Sequence, residues 1–167
     1  MIVNETERLN LRVFRDEDFE DAKEFWGNDE VMMHCNGATP HDLLIRALGG
    51  YRKCHEDKGL SVYAVEDKET GKVLGAAGFN IPEGIEKVEL IYHFGKQAWG
   101  KGYAKEAAQA CLQVAENHGQ VRTIYAAADP NNIGSLKILE KIGFTFKEMK
   151  WFDDTNQEEP YYEYEIS

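Results

Sequence analysis

The chain has 167 residues, with 30 acidic against 19 basic side chains and a formal net charge of -11. At 43% hydrophobic and 29% charged it has the make-up of one globular domain able to bury a core, residues 1–167 without an internal boundary. The acidic balance argues against a nucleic-acid surface, which needs a clustered basic excess. No apolar run approaches the roughly 18 residues of a membrane span, and Met1–Asn10 lacks the basic-then-apolar layout of a signal peptide, so a soluble cytoplasmic protein is expected.

Arg8–Phe14 alternates, with Leu9, Leu11 and Val13 on one side, and reads as a strand. An acidic segment from Asp16 to Trp26 places Phe19, Ala22, Phe25 and Trp26 at helical spacing, and Val31–His34 reads as a further short helix. Pro40–Cys54 is a predicted helix that Gly49 and Gly50 weaken. Strands follow over Leu60–Glu66, Lys72–Ile81 and Ile85–Phe94, separated by turns at Glu69-Thr70-Gly71 and Pro82-Glu83-Gly84. Then come a helix over Gly102–His118, a strand over Thr123–Ala128 and a helix over Asn132–Ile142 closed by Gly143. Phe144–Met149 and Tyr161–Ile166 are the last strands, around an acidic loop. This order gives a mixed α/β domain.

The charge is not evenly spread. Residues 1–35 hold 4 basic and 10 acidic side chains and residues 147–167 hold 2 and 7, whereas residues 36–146 hold 13 of each. The middle can therefore take an anionic ligand. Cys35, Cys54 and Cys111 are odd in number and show no metal-ligand spacing, so free thiols in a reducing compartment are expected and no metal. His34, Cys35 and His41 lack a fourth partner that would make them a metal set.

Gln97-Ala98-Trp99-Gly100-Lys101-Gly102-Tyr103-Ala104 follows an apolar strand and opens a helix. Helix N-termini leave unpaired N–H groups and a positive partial charge, so they hold phosphates. Gly100 and Gly102 allow close backbone approach, and Lys96, Lys101 and Lys105 add positive charge. The loop is neither a P-loop nor a dinucleotide fingerprint, since the terminal Gly-Lys-Ser/Thr and the third glycine are missing. A second segment, Asp129-Pro130-Asn131-Asn132-Ile133-Gly134-Ser135, sets Asn132 and Ser135 three apart at a helix start. Cap residues of this kind also occur without any ligand.

Together the two segments resemble the GNAT superfamily of acyl-CoA-dependent N-acyltransferases. Gln97, Gly100 and Gly102 match its Gln/Arg-x-x-Gly-x-Gly/Ala loop. Asn132, Ser135, Glu140, Lys141, Gly143 and Phe144 match its Asn-x-x-Ser…Glu-Lys-x-Gly-Phe segment. Thr6-Glu7-Arg8-Leu9-Asn10-Leu11-Arg12 is similar to the opening of the RimJ/RimL-type subgroup. The resemblance implies a mostly antiparallel sheet with splayed central strands flanked by helices, acetyl-CoA as donor and a primary amine as acceptor. It implies that Tyr92, His93 and Phe94 pair with the pantetheine, that backbone N–H groups from Gln97 to Ala104 hold the pyrophosphate, and that Asn132 and Ser135 face the pantetheine and thiol. The acceptor is a protein N-terminal α-amine, as in ribosomal-protein acetylation, or a small amine, and the chain is a monomer or homodimer. Trp26, Met32 and Met33 fall in the region that walls the acceptor site in this subgroup.

Direct transfer needs a base, donors for the oxyanion and a proton for the departing thiolate. The positions at which some family members carry a catalytic Tyr and Glu are Leu139 and Ala127 in this chain, so neither role transfers. Glu89 and His93 share strand parity before the loop and are the candidate bases. Ser135 or a water is the candidate partner of the thiolate. Cys35, Cys54 and Cys111 match no nucleophile arrangement, which disfavours an acyl-enzyme. A non-catalytic acyl-CoA-binding sensor or interaction module on the same fold is the alternative, because the usual Tyr and Glu are missing.

Overall fold

A computed structural model describes residues 1–35 and 37–166. Eight strands form one sheet in the order β1-β2-β3-β4-β5-β6-β8-β7. They are β1 (Ile2–Glu5), β2 (Leu9–Arg12), β3 (Val62–Asp67), β4 (Val73–Gly84), β5 (Lys87–Phe94), β6 (Thr123–Ala127), β7 (Thr145–Phe152) and β8 (Gln157–Glu165). All neighbours are antiparallel except β5 and β6, which are parallel. The helices are α1 (Phe19–Ala22), α2 (His41–Lys58), α3 (Tyr103–His118) and α4 (Ile133–Lys141). No helix among the described residues is long and apolar enough to cross a membrane.

The sheet has an apolar layer on each face. Ala107, Ala108, Cys111 and Ala115 of α3 pack with Tyr63, Phe79, Leu90 and Ile124 on one side. These small side chains let the α3 backbone lie close to the strands. On the other face Phe14, Phe25, Trp26, Leu44 and Leu48 pack with Val62 and Ala76. Burial of Leu44 and Leu48 holds α2 together across Gly49 and Gly50, and the helix runs on to Lys58.

Some expectations are corrected. β1 is an edge strand whose side chains are exposed or half-buried, so Ile2–Glu5 carries no alternation to read. Of Asp16–Trp26 only α1 is α-helical, preceded by a 3-10 turn over Asp16–Asp18, because Asp18 turns inward to a buried ion pair. Val31–His34 forms turns rather than a helix. Pro82-Glu83-Gly84 is not the turn. β4 continues to Gly84, with its pairing register broken between Asn80 and Gly84, where a proline without an N–H is tolerated. The last two strands are longer than their apolar residues suggest and leave only residues 153–156 between them.

One buried polar cluster ties the N-terminal strands to α1. Arg12 donates two hydrogen bonds of 2.8 Å to the Asp18 carboxylate and a third of 2.8 Å, through Nε, to Glu66. Arg12 and Asp18 are both buried. Burial alone would raise both carboxyls, but hydrogen bonds from Arg12, with the Arg15 N–H on Asp18 and Asn10 on Glu66, hold them below their ordinary values of 3.8 and 4.5. Depressed carboxyls give stability that is complete above those ordinary values and is lost as pH falls through the lowered ones. Equilibrium urea unfolding is expected to show this loss in wild type below about pH 4. Arg12→Ala strands two carboxylates and is expected to lower stability by about 3–5 kcal/mol at neutral pH in the same measurement.

Candidate active site

β5 and β6 are paired only at Lys87–Thr123, Val88–Ile124 and Glu89–Tyr125. Beyond Glu89 the two strands part, β5 running to Phe94 and β6 to Ala127. A cleft of about 1160 Å³ passes through the fork, with the small side chains of Ala126, Ala127 and Ala128 on the β6 side.

The sheet's own hydrogen-bond phase says which backbone groups face this gap. The Gly95 N–H donates to Leu74 O (3.0 Å) on β4, while Glu86 O accepts from Thr123 N–H (3.0 Å) on the β6 side. Backbone direction alternates along a strand, so the main chain of Leu90, Tyr92 and Phe94 faces the gap and that of His93 faces β4. Of the three backbones expected for pantetheine, His93 is therefore already committed within the sheet. Phe94 O accepts the Trp99 indole N–H at 2.9 Å.

The loop after β5 begins with a 3-10 turn over Lys96–Ala98. Inside it the Ala98 N–H donates to Gly95 O (2.9 Å) and the Trp99 N–H to Lys96 O (3.1 Å). Those two amides are not free for an anion. Further on, from Gly100 into the first turn of α3, the first committed amide is Glu106 to Gly102 O (3.2 Å). Gly100 and Gly102 have φ of +75° and +81°, left-handed values that aim successive N–H groups to one side and suit glycine. Of the backbone N–H groups expected from Gln97 to Ala104, those of Ala98 and Trp99 are thus engaged within the loop itself.

Side chains near the loop also differ from expectation. Gln97 donates to Glu24 (2.8 Å) and Lys96 pairs with Glu30 (2.8 Å), so both reach toward the acidic N-terminal segment. Lys96, Gln97 and Lys101 do not line the cleft, whereas Glu89, Tyr92, His93, Phe94, Asn132 and Ser135 do, as do Ala98 to Gly100 and Gly102 to Lys105. Arg8 stacks on the Tyr103 ring at 4.3 Å, donates to Lys101 O (3.0 Å) and pairs with Glu106 (2.7 Å).

Across the fork, the Tyr92 hydroxyl donates to Ser135 O (3.1 Å) and meets Ser135 Oγ at 2.9 Å. Burial pushes the Tyr92 phenol up to about 12, so it keeps its proton at neutral pH. Asn132 Oδ1 accepts the Ser135 N–H (3.3 Å) and caps α4. Leu139, at the family's Tyr position, is a core residue. The Tyr92 hydroxyl was not among the groups read as chemical. Its signal was strand parity, which sends Tyr92 to the α4 side of the sheet, opposite Glu89 and His93.

On the α2 side, the Trp26 indole N–H donates to His93 Nδ1 (3.1 Å), and Cys35 Sγ lies 3.4 Å from Nε2. An acceptor Nδ1 places the ring proton on Nε2, toward the sulfur. Burial pushes His93 down to about 4, so the ring is neutral with its one lone pair already engaged. Glu89 is different. Burial raises its carboxyl, the Asn80 amide (3.3 Å) opposes that shift, and the negative charges of Asp154 and Glu159 add to it. His34, Cys35 and His41 turn to Asp129 (3.2 Å), His93 and Gly27 O (3.0 Å) respectively, so they converge on no common point.

The model of the acetyltransferase (GNAT) domain matches residues 8–145, and the chain belongs to this family. It is an N-acetyltransferase with acetyl-CoA as donor. A relative from Bacillus subtilis, the uncharacterized protein YkkB, is 34% identical over 152 residues, which is 87% of this chain and 88% of that one. A GNAT-family acetyltransferase of Bacillus anthracis has a TM-score of 0.83 at 25% identity, covering 99% of this chain and 98% of its own. RimL, a ribosomal L7/L12 alpha-N-protein acetyltransferase solved with coenzyme A, shares the fold with a TM-score of 0.83 at 16% identity, over 99% and 98% of the two chains.

The His93 geometry is directly measurable. An NMR titration is expected to show a neutral imidazole protonated on Nε2 at neutral pH, with a midpoint of about 4. A midpoint near 6.5, the unperturbed value, contradicts the assignment.

Proposed function

We propose that this cytoplasmic chain acetylates a primary amine, binding it on the α2 side of the fork, with Glu89 as the base. The observation that carries the reading is the placement of the Glu89 carboxylate where β5 and β6 separate, in the same cleft as the N–H-rich loop. Pantetheine amides pair with the gap-facing backbone of Leu90, Tyr92 and Phe94, and the pyrophosphate rests on amides from Gly100 into α3. Thr6 to Arg12 supports a RimJ/RimL-type relationship.

In the reaction the neutral amine attacks the acetyl carbonyl, the C–S bond breaks, and the amine proton passes to Glu89 directly or through water. A carboxyl raised toward neutrality is better matched to this task than an ordinary one. The departing thiolate takes a proton from the Tyr92–Ser135 pair, the phenol being still protonated at neutral pH. His93 is a positioning residue that fixes Trp26, because its lone pair is engaged. Burial first, then nearby carboxylates, pushes the Cys35 thiol up, and the His93 nitrogen that faces it already carries a proton. No thiolate nucleophile forms there, which supports direct transfer.

Thiol release from acetyl-CoA across a panel of amines tests the reading. Glu89→Gln is expected to lower kcat at least ~100-fold and to abolish the acid limb of the pH–rate profile, a limb displaced upward from the ordinary 4.5 in wild type. Tyr92→Phe is expected to lower kcat by about tenfold or more with little change in KM for acetyl-CoA. An unchanged profile in Glu89→Gln sinks the assignment. Coenzyme A binding without turnover of any amine favours the non-catalytic sensor.

A further inference from the structure

One side chain holds the Glu89 carboxylate. Asn80 of β4 lies directly opposite Glu89 in the sheet register, and its Nδ2 donates to Glu89 Oε1 (3.3 Å). Both neighbours of β5 change at this level. Regular β4–β5 pairing runs from Gly75–Phe94 to Asn80–Glu89 and breaks between Asn80 and Gly84, while β5–β6 pairing stops at Glu89–Tyr125. Side chains directly opposed in an antiparallel pair stand about 4.5–5.5 Å apart at Cβ, so these two share one patch of the sheet face.

Hydrogen-bond chemistry decides which way the Asn80 amide points. A carboxylate only accepts, so the amide nitrogen faces Glu89 and the amide oxygen is turned away. Neither Asn80 Oδ1 nor Glu89 Oε2 has a protein partner among the described residues, and both keep contact with open space. Both residues line the main cleft, and Asn80 also lines a second cavity of about 290 Å³ beside Gly50 and Tyr51 of α2. Neighbouring side chains thus offer two open acceptor atoms, one anionic and one neutral, where the fork begins.

The other groups around Glu89 do not take this part. Tyr125 opposes it on β6, and Tyr51 of α2 and Cys35 lie within reach of its charge, each with its proton held more firmly by burial. Asp154 and Glu159 add negative charge from the β7–β8 end. On the same face of β5, His93 is neutral and Lys87 is paired with Glu163 (3.3 Å).

A primary amine, once neutral, carries two N–H bonds and one lone pair. With the lone pair aimed at the acetyl carbon, both N–H bonds point away from it and need acceptors inside the cleft. As the C–N bond forms and the C–S bond breaks, one of these protons passes to Glu89 and the other stays in the amide product. The thiolate takes its proton from the Tyr92–Ser135 pair.

We infer that Asn80 completes the acceptor site: its Nδ2 orients the Glu89 carboxylate and its Oδ1 receives the N–H that the product keeps, so that a primary amine is preferred to its N-methyl derivative. The inference rests on the N-acetyltransferase reading with Glu89 as base. A secondary amine has one N–H when neutral and turns its methyl group toward Oδ1, which leaves that oxygen without a partner.

Two measurements test it. The first needs no acceptor: a carboxyl NMR titration of Glu89, its signal identified by its loss in Glu89→Gln. Removing a donor to the charged form raises a carboxyl, so Asn80→Ala is expected to move the Glu89 midpoint upward by about 0.5–1 in pH. Asn80→Asp, of the same shape, sets a like charge beside Glu89 and is expected to move it further. The second compares n-butylamine, benzylamine and alaninamide with their N-methyl derivatives. Wild type is expected to favour each primary amine at least about tenfold in kcat/KM, and Asn80→Ala to bring that ratio toward unity. A Glu89 midpoint that both variants leave in place, or a preference that Asn80→Ala leaves intact, overturns the inference and spares the base assignment. An acid limb that persists in Glu89→Gln overturns both, as does a wild type that acetylates neither series.

Discussion

The parting of β5 and β6 is the constraint on which the rest of the molecule depends. A sheet interior normally satisfies every backbone N–H and C=O through the neighbouring strand. Here the pairing stops at Glu89 and Tyr125, leaving gap-facing main chain on β5 at the centre of an eight-stranded sheet. Only a ligand with amide groups of its own, or water, can complete such an edge. The fork also sets the division of labour between the faces. Odd-numbered side chains of β5 from Glu89 to His93 meet the α2 layer, and even-numbered ones from Leu90 to Phe94 meet α3 and α4. Glu89 and the Tyr92 hydroxyl thus lie on opposite sides of one strand.

Most of the architecture was legible because it follows from burial. α3 showed an unbroken apolar face, and the strands from β3 to β5 alternate or run apolar, although the turn between β4 and β5 lies beyond Gly84. The fork itself came from resemblance, since no local pattern announces where two strands stop pairing. Elements lacking a buried face were the ones missed or shortened. β1 is an edge, and every residue of β7 except the half-buried Phe152 is exposed, so neither offered periodicity. The loop residues were found by type but not always by role. Nothing near Gln97 or Lys96 in sequence indicates that Glu24 and Glu30 capture their side chains. The same holds for His93, whose titration is decided by burial rather than by its place in the strand.

The charge distribution gains a structural meaning from these contacts. The acidic N-terminal segment lies against the sheet through Lys72–Glu24 (2.9 Å), Lys96–Glu30 and Arg52–Asp16 (3.1 Å). Much of its charge is therefore matched locally at the surface, where such pairs contribute little to stability. The C-terminal acidic stretch is not matched in the same way where it enters the cleft. What separates the two is burial: Glu159 is enclosed, whereas Asp16 and Glu30 are solvated.

The Arg8 clasp has a thermodynamic consequence of its own. Its guanidinium joins the first turn of α3 to the loop carbonyl of Lys101, and Glu106 also accepts from Thr6. The N-terminal strands thereby set the shape of the loop before α3 as the domain folds. The ordering entropy of that loop is met during folding, so little conformational freedom remains in it afterwards. An alteration near Arg8 would loosen the turn from Lys101 to Tyr103 while leaving the fork untouched.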